Sequence, residues 1–333
     1  KSGKIFRKRF GTPRYMDASA DYFPDTLRVR VPDRSPDYLF LGIFHPKGRW
    51  VVADVAEVRR GEAVFPHVES DAIYAVLEKK EDGSFATVDY PFYFDGKPPH
   101  FYIPDKEREE KVTLYRKHPL MGWIGIYLDE ICGGRFDFSD TEDFRHIKYT
   151  YQVPDTPRIC YNEVVLPQQL KCRYVRYQAM EWKNTNIGEL LFWGGETRYY
   201  PETVKGAPAE NPVNVQERMF DDDPLTYYST RLPGATLLMD FGKQVEMDRF
   251  IFIPRNDDNF IRIGDTYELY YHDGKDGWVS LGRKTASAPE LVYDNMPRGA
   301  LFHLRCLTRG EEEQVFHIKD GKQVFISNLS YVR

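Results

Sequence analysis

Along most of the chain, apolar and polar residues alternate with a period of two. TLRVRV (26–31) sets Leu27, Val29 and Val31 against Arg28 and Arg30, the pattern of a half-buried strand. DYLFLGIF, HPKG and RWVVAD (37–54) read as strand, turn and strand, and residues 71–90 read as a hairpin over an Asp82-Gly83 turn. GWIGIYL (122–128), CRYVRYQAM (172–180) and NIGELLFWG (186–194) are further strand candidates. After residue 234 come ATLLMDFG, RFIFIP, DTYELYYH, WVSLG, ALFHLRC, QVFHI and KQVFI, separated by short turn signals. TYELYYH (266–272) predicts one buried face of Tyr267, Leu269 and Tyr271, with Glu268, Tyr270 and His272 opposite.

These patterns predict an all-β chain of tandem antiparallel β-sandwiches. The charge run DKEREEK (105–111) reads as a linker or a surface helix, and the Gly- and Pro-rich stretch 194–212 as a connection. The expected segments are therefore an N-terminal sandwich over 1–111, a short β domain over 112–196 and a last sandwich over 197–333.

Composition narrows the functional classes. With 41% hydrophobic residues the chain can build packed cores, and 15% aromatics favour strands over helices. The net charge of −5 gives no general attraction to nucleic acid or acidic lipid. The basic start, with Lys1, Lys4, Arg7, Lys8, Arg9 and Arg14, reads as a solvated terminus rather than a phosphate-binding arm. No apolar run approaches the ~18 residues of a membrane helix, so helical membrane insertion is not expected. Without a signal peptide or an initiator Met, the chain reads as a mature or excised fragment. Cys132, Cys160, Cys172 and Cys306 form no C-x-x-C pair, so zinc is not expected; they allow either one disulfide or four buried thiols.

An ordered set of residues gives the C-terminal segment a resemblance. It reads Phe220-Asp221-Asp222-Asp223-Pro224-Leu225-Thr226, then Asp240-Phe241-Gly242, Pro254-Arg255, and Asp276-Gly277-Trp278. The set, spanning most of 210–325, resembles the coagulation factor 5/8 C-terminal, or discoidin-like, domain. That resemblance implies that the last segment is a jelly roll. Asp222 stands where the family has Gly, and no terminal Asn-x-Ala-Glu closes this segment. The middle segment, 133–144 and 173–194, resembles the second half of such a domain, with Asn186-Ile187-Gly188-Glu189 in the Asn-x-Ala-Glu place. Residues 10–24 and 38–65 resemble the region that follows the transglutaminase-like core of Bacteroidetes-type multi-domain proteins. This implies a catalytic domain upstream in the same chain and a secreted, periplasmic or outer-membrane surface location.

No catalytic pattern emerges from the sequence. Cys132 lacks a positive field that would make it a nucleophile. G-x-S-x-G, H-E-x-x-H and phosphate-binding glycine loops are absent. For metal, Asp221, Asp223 and Thr226 have the oxygen chemistry and spacing of a tight calcium loop. The resemblance implies that a structural Ca2+ sits there, completed by a Glu. The competing reading is a solvated acidic turn whose Asp side chains cap backbone amides. For ligands, Arg255, Asn256, Asp257, Asp258 and Asn259 form a polar loop of the kind that reads sugar hydroxyls, with Tyr227 and Tyr228 as aromatic platforms. The alternative is a structural loop, with Arg255 paired to Asp257 or Asp258 and Asn259 in a left-handed turn. Trp182, in the polar stretch AMEWKNTN, is the expected exposed aromatic.

The expected function is that of non-catalytic carbohydrate-binding or adhesion modules with a glycan or glycoprotein partner. The alternative is the scaffold of a transglutaminase-like or glycan-degrading enzyme whose catalytic domain lies outside this sequence.

Overall fold

A computed structural model describes residues 25–31, 36–45, 49–119, 122–310 and 314–325. The expectations placed on residues 1–24, the basic terminus and the stretch 10–24, lie outside these residues. The chain is all-β, built on antiparallel sheets, as the period-two patterns predict.

The chain forms two compact units, and they are not sequential segments. One joins Lys1–Pro119 to Ile261–Arg333, and the other is Leu120–Phe260. The boundary expected at 111 falls within the strand Asp105–Leu114, paired to Leu291–Arg298, and the one at 196 falls in the hairpin turn between two paired strands of the second unit. Turn spacing along a sequence shows where strands end but not which strands share a sheet, so it cannot reveal a unit inserted into another.

The first unit opens with eight strands: β1 (Asp25–Arg30), β2 (Tyr38–His45), β3 (Arg49–Arg59), β4 (Glu62–Val68), β5 (Ala72–Lys79), β6 (Phe85–Thr87), β7 (Phe92–Phe94) and β8 (His100–Phe101). They form one sheet in the order β1-β4-β3-β2-β5-β7-β8, with β6 on β5. Its core is Leu27, Leu39, Leu41, Phe65, Tyr74 and Phe92 with their neighbours. The charge run expected to be a linker or helix is instead β9 (Asp105–Leu114). Its charged side chains find partners beyond the strand, Lys106 on Asp273 and Lys111 on Asp294.

The second unit begins with α1 (Gly122–Ile131), where a strand is expected. Ile124 and Ile131 are fully buried while Trp123 and Ile126 are exposed, so helical spacing wins over the β-forming composition. Then follow β10 (Arg135–Ser139), β11 (Ile147–Gln152), β12 (Asn162–Gln178), β13 (Thr185–Gly194), β14 (Thr197–Tyr199), β15 (Thr203–Gly206), β16 (Tyr228–Thr230) and β17 (Thr236–Pro254). They make one sheet, β11-β10-β12-β17-β13-β14, with β15 on β17 and β16 on β13. The stretch expected to be a mere connection thus supplies β14 and β15. The long central β17 pairs with β12 on one side and with β13 and β15 on the other. Phe136, Phe138, Tyr177, Phe192, Phe250 and Phe252 fill the core; Phe136 and Phe250 meet with ring centres 5.1 Å apart. Sequence-distant Phe192 and Phe250 oppose each other across β13 and β17.

The first unit resumes with β18 (Thr266–His272), β19 (Trp278–Thr285), β20 (Leu291–Arg298), β21 (Phe302–Cys306), β22 (Val315–Lys319) and β23 (Lys322–Phe325). Five of them order as β19-β18-β21-β22-β23, and β20 pairs with β9. Tyr267, Leu269 and Tyr271 are buried as predicted, but Glu268 and His272 on the other face are buried too. His272 lies edge-on to Trp50 and Trp278, so this strand is covered on both faces.

Candidate functional site

In the second unit, α1, the start of β13, the turn before β16 and the end of β17 converge on Arg255. Its guanidinium lies between two tyrosine rings, 3.7 Å from the centre of Tyr127 and 3.9 Å from that of Tyr227. Nη1 donates to Asn186 Oδ1 at 3.4 Å. The buried Asn186 turns its Nδ2 to Glu130 Oε2, and Asn184 Nδ2 donates to Glu130 Oε1 at 3.3 Å. Glu130 therefore orients the Asn186 amide so that its oxygen faces Arg255. Burial pushes the Glu130 carboxyl above its ordinary range, although both amides and the Arg255 charge pull it back. Trp123, on the turn of α1 before Tyr127, meets that ring edge-on at 5.8 Å and is 44% exposed.

The rest of the predicted sugar-binding loop is structural. Asn256 is buried, and its Nδ2 donates to the carbonyls of Pro224 at 2.9 Å and Pro254 at 3.1 Å, stitching two loops together. Its Oδ1 accepts the Asp258 N–H at 3.0 Å, and Asp257 Oδ1 accepts the Asn259 N–H at 3.2 Å. The left-handed residue is Asp258 (φ 66°), not Asn259, which is fully buried. Among the described residues Arg255 forms no ion pair with Asp257 or Asp258: its Nη1 is turned to Asn186, and Asp257 Oδ1 accepts the Asn259 N–H instead. Tyr228 is not a platform. It lies wholly in the core and its hydroxyl donates to the Ala207 carbonyl at 2.8 Å. Strand alternation puts its neighbour Tyr227 at the site instead. A strand over 122–128, as the composition predicts, would not bring Tyr127 and Glu130 to this site, whereas the helix sets residues 123, 127 and 130 on one face. Trp182 is exposed as expected, at 70%.

The acidic loop forms a second cluster. Thr226 Oγ1 donates to both Asp221 oxygens at 2.9 Å, Arg218 Nη1 donates to Asp221 at 3.1 Å, and the Asp223 N–H donates there at 3.1 Å. Asp223 Oδ1 accepts the Leu225 N–H at 3.0 Å. Thr226 and Asp223 thus spend their side chains within the loop. Asp222 has a left-handed backbone (φ 64°) and accepts from Arg198.

The partner of Asp221 comes from the middle of the sequence. A bulge at Gly188, between the pairs Ile187–Pro254 and Glu189–Ile253, turns Glu189 inward beside Asp221. Glu189 is buried, neither Oε accepts a hydrogen bond among the described residues, and Arg198 Nη2 is 3.9 Å away. Burial, with the Asp221 carboxyl facing it, lifts the Glu189 pKa to about 8. Burial also raises Asp221, but Arg218, Thr226 and the Asp223 amide outweigh that and hold it below its ordinary value. Among the described residues no group of three or more His, Cys, Asp and Glu side chains is arranged to hold a metal ion. Below the Glu189 pKa the protonated carboxyl shares its proton with Asp221, and deprotonated the pair offers two carboxylates to a cation.

The cysteines are buried and unbridged. A helix does precede Cys132, contrary to expectation, but Cys132 follows its C-terminal end, where the dipole disfavours a thiolate. Its Sγ donates to the Leu128 carbonyl at 3.0 Å, and burial pushes its pKa up. Among the described residues no helix is long and apolar enough to cross a membrane.

Neither the protein-family models nor the curated proteins give a match to this chain.

Proposed function

We propose that the protein is a non-catalytic carbohydrate-binding or adhesion module of a secreted or surface bacterial protein, and that its binding site is centred on Arg255. The observation that supports this reading is the stacking of a half-buried Arg255 between Tyr127 and Tyr227, with Asn186 and Glu130 at its edge. Sugars are bound by planar hydrogen-bonding groups beside aromatic surface, on a frame that does not reorganise. The stack is assembled from four elements before any ligand arrives, so little ordering remains to be done on binding. Single-site affinity on the order of 0.1–1 mM is expected from so few contacts. A glycan array on the full chain tests the reading: binding should appear with the parent and vanish in Arg255→Ala and Tyr227→Ala. An array without signal at millimolar glycan would overturn it.

As part of the same proposal, a structural calcium ion binds at the Asp221 loop. Asp221 and Glu189 would hold it, with loop carbonyls completing an oxygen shell. The buried Glu189 carboxyl supports this, since a divalent cation would stabilise its ionised form. Calcium should raise the melting temperature at neutral pH, and Glu189→Gln should abolish that rise. Equal melting temperatures in calcium and in chelator would rule the ion out.

A further inference from the structure

Arg255 carries five N–H donors in a rigid fork. Among the described residues only Asn186 accepts from it, and no carboxylate pairs with it. Glu130, which feels the charge of Arg255, has its two oxygens engaged by Asn184 and Asn186. The charge of Arg255 is therefore not neutralised by direct contact. With Tyr127 and Tyr227 on its two faces, the guanidinium cannot stack on a further ring and cannot rotate freely. What it can offer is its edge, in one orientation. A planar oxyanion with two oxygens is the partner that matches such an edge, through two parallel charge-assisted hydrogen bonds.

We infer that the free edge of Arg255 binds the carboxylate of a sugar acid, a uronic or sialic acid unit of an acidic glycan. The inference rests on the carbohydrate-binding reading above and narrows its ligand class. A sugar acid is favoured over an acidic peptide on two grounds. Its carboxylate is fixed to a ring, so that docking against a rigid fork freezes few rotors, whereas an Asp or Glu side chain must be ordered. The ring also has an apolar face, and the exposed Trp123 beside Tyr127 offers surface for it. Glu130 acts as a positioning residue: by holding Asn186 Nδ2 it keeps Asn186 Oδ1 on Nη1 and leaves the other donors for the ligand.

Isothermal titration of the full chain with trigalacturonate, with sialyllactose, with their methyl esters, with neutral lactose and with a Glu-rich peptide tests this. At least one of the acids should bind at least tenfold more tightly than its own ester, and raised salt should weaken it. Arg255→Lys, which keeps the charge but loses the fork, should lose at least tenfold in affinity for that acid with an unchanged melting temperature. The ester comparison on the parent protein needs no variant and stands even if Arg255→Lys misfolds. Esters or lactose binding as tightly as the acids would overturn the sugar-acid class and leave carbohydrate binding intact. Binding of the peptide but of none of the sugars would overturn both, as would binding of none of the probes together with a silent glycan array.

Discussion

Arg173 and Asp240 are joined by two parallel hydrogen bonds, Nε to Oδ1 at 2.8 Å and Nη2 to Oδ2 at 2.9 Å. Asp240 also accepts the Gly242 N–H at 2.8 Å, where the backbone of β17 turns left-handed (φ 71°). Here the register between β12 and β17 slips, Cys172 facing Val245 and Tyr174 facing Asp240. Asp240 thus fixes both a cross-strand ion pair and the turn of the strand on itself. Asp240→Ala should cost about 2 kcal/mol, and Arg173→Ala less than that, because it leaves the Gly242 N–H bond to Asp240 in place. Urea unfolding of the two variants measures the difference, and equal losses would count against the dual role.

Glu189 should make stability fall as pH rises. Its folded pKa, about 8, lies above the ordinary carboxylate value, so the native state holds a proton that the unfolded chain has released. The contribution is complete below the unfolded pKa and is lost as pH climbs through the folded one, by up to about 5 kcal/mol in the absence of a cation. Melting temperatures in chelator should therefore drop between about pH 6.5 and pH 8, above the range in which His272 acts. Glu189→Gln, which keeps the shape without the charge, should melt higher than the parent at pH 8. A flat profile for the parent would show that Glu189 is ionised without penalty.

His272 imposes the opposite slope on the other unit. Neither ring nitrogen has a hydrogen-bond partner among the described residues, and burial lowers its pKa to about 4. The unfolded chain then takes up a proton that the native state refuses. Stability is lost as pH falls from about 6.5 towards 4, by about 3 kcal/mol. His272→Phe should remove this acid sensitivity while retaining the edge-on contact with Trp278, now at 4.8 Å. Tryptophan fluorescence checks it, since Trp50 and Trp278 adjoin His272. Acid should disturb their emission first, and an acid midpoint unmoved by His272→Phe would refute the assignment.

Most strands were legible in the sequence because burial on one face leaves a period-two signature. TLRVRV and NIGELLFWG are strands within a residue of their expected ends, whereas CRYVRYQAM is only the last part of β12, which begins ten residues earlier at Asn162. What failed were segments whose environment is set from outside. GWIGIYL has the composition of a strand, but burial of Ile124 and Ile131 alone makes it a helix, and with it Tyr127 and Glu130 reach the site. DKEREEK has no apolar face at all and is held as a strand by its partner β20, with Lys111–Asp294 and Glu110–Arg298 across the pair. Arg255 and the acidic loop were visible because charge clusters stand out. Tyr127, Glu130 and Glu189 were not recognised as their partners, because pairing across 30 to 130 positions leaves no mark on local spacing.

The left-handed Asp222 offers a last test of the acidic loop. Its φ of 64° costs an L-residue about 1 kcal/mol relative to glycine. Asp222→Gly relieves that strain but makes the unfolded chain more flexible, a term of similar size and opposite sign. It also removes the carboxylate on which Arg198 Nη1 is held, while Arg198 Nη2 already lies 3.9 Å from Glu189. Freed from Asp222, Arg198 should close on Glu189 and stabilise its ionised form. Asp222→Gly is therefore expected to change stability by less than about 1 kcal/mol near pH 5, where Glu189 is protonated, and to be the more stable protein at pH 8. Denaturation of both proteins at the two pH values in chelator decides it. If the difference between them is the same at both, Arg198 and Glu189 are not coupled through Asp222.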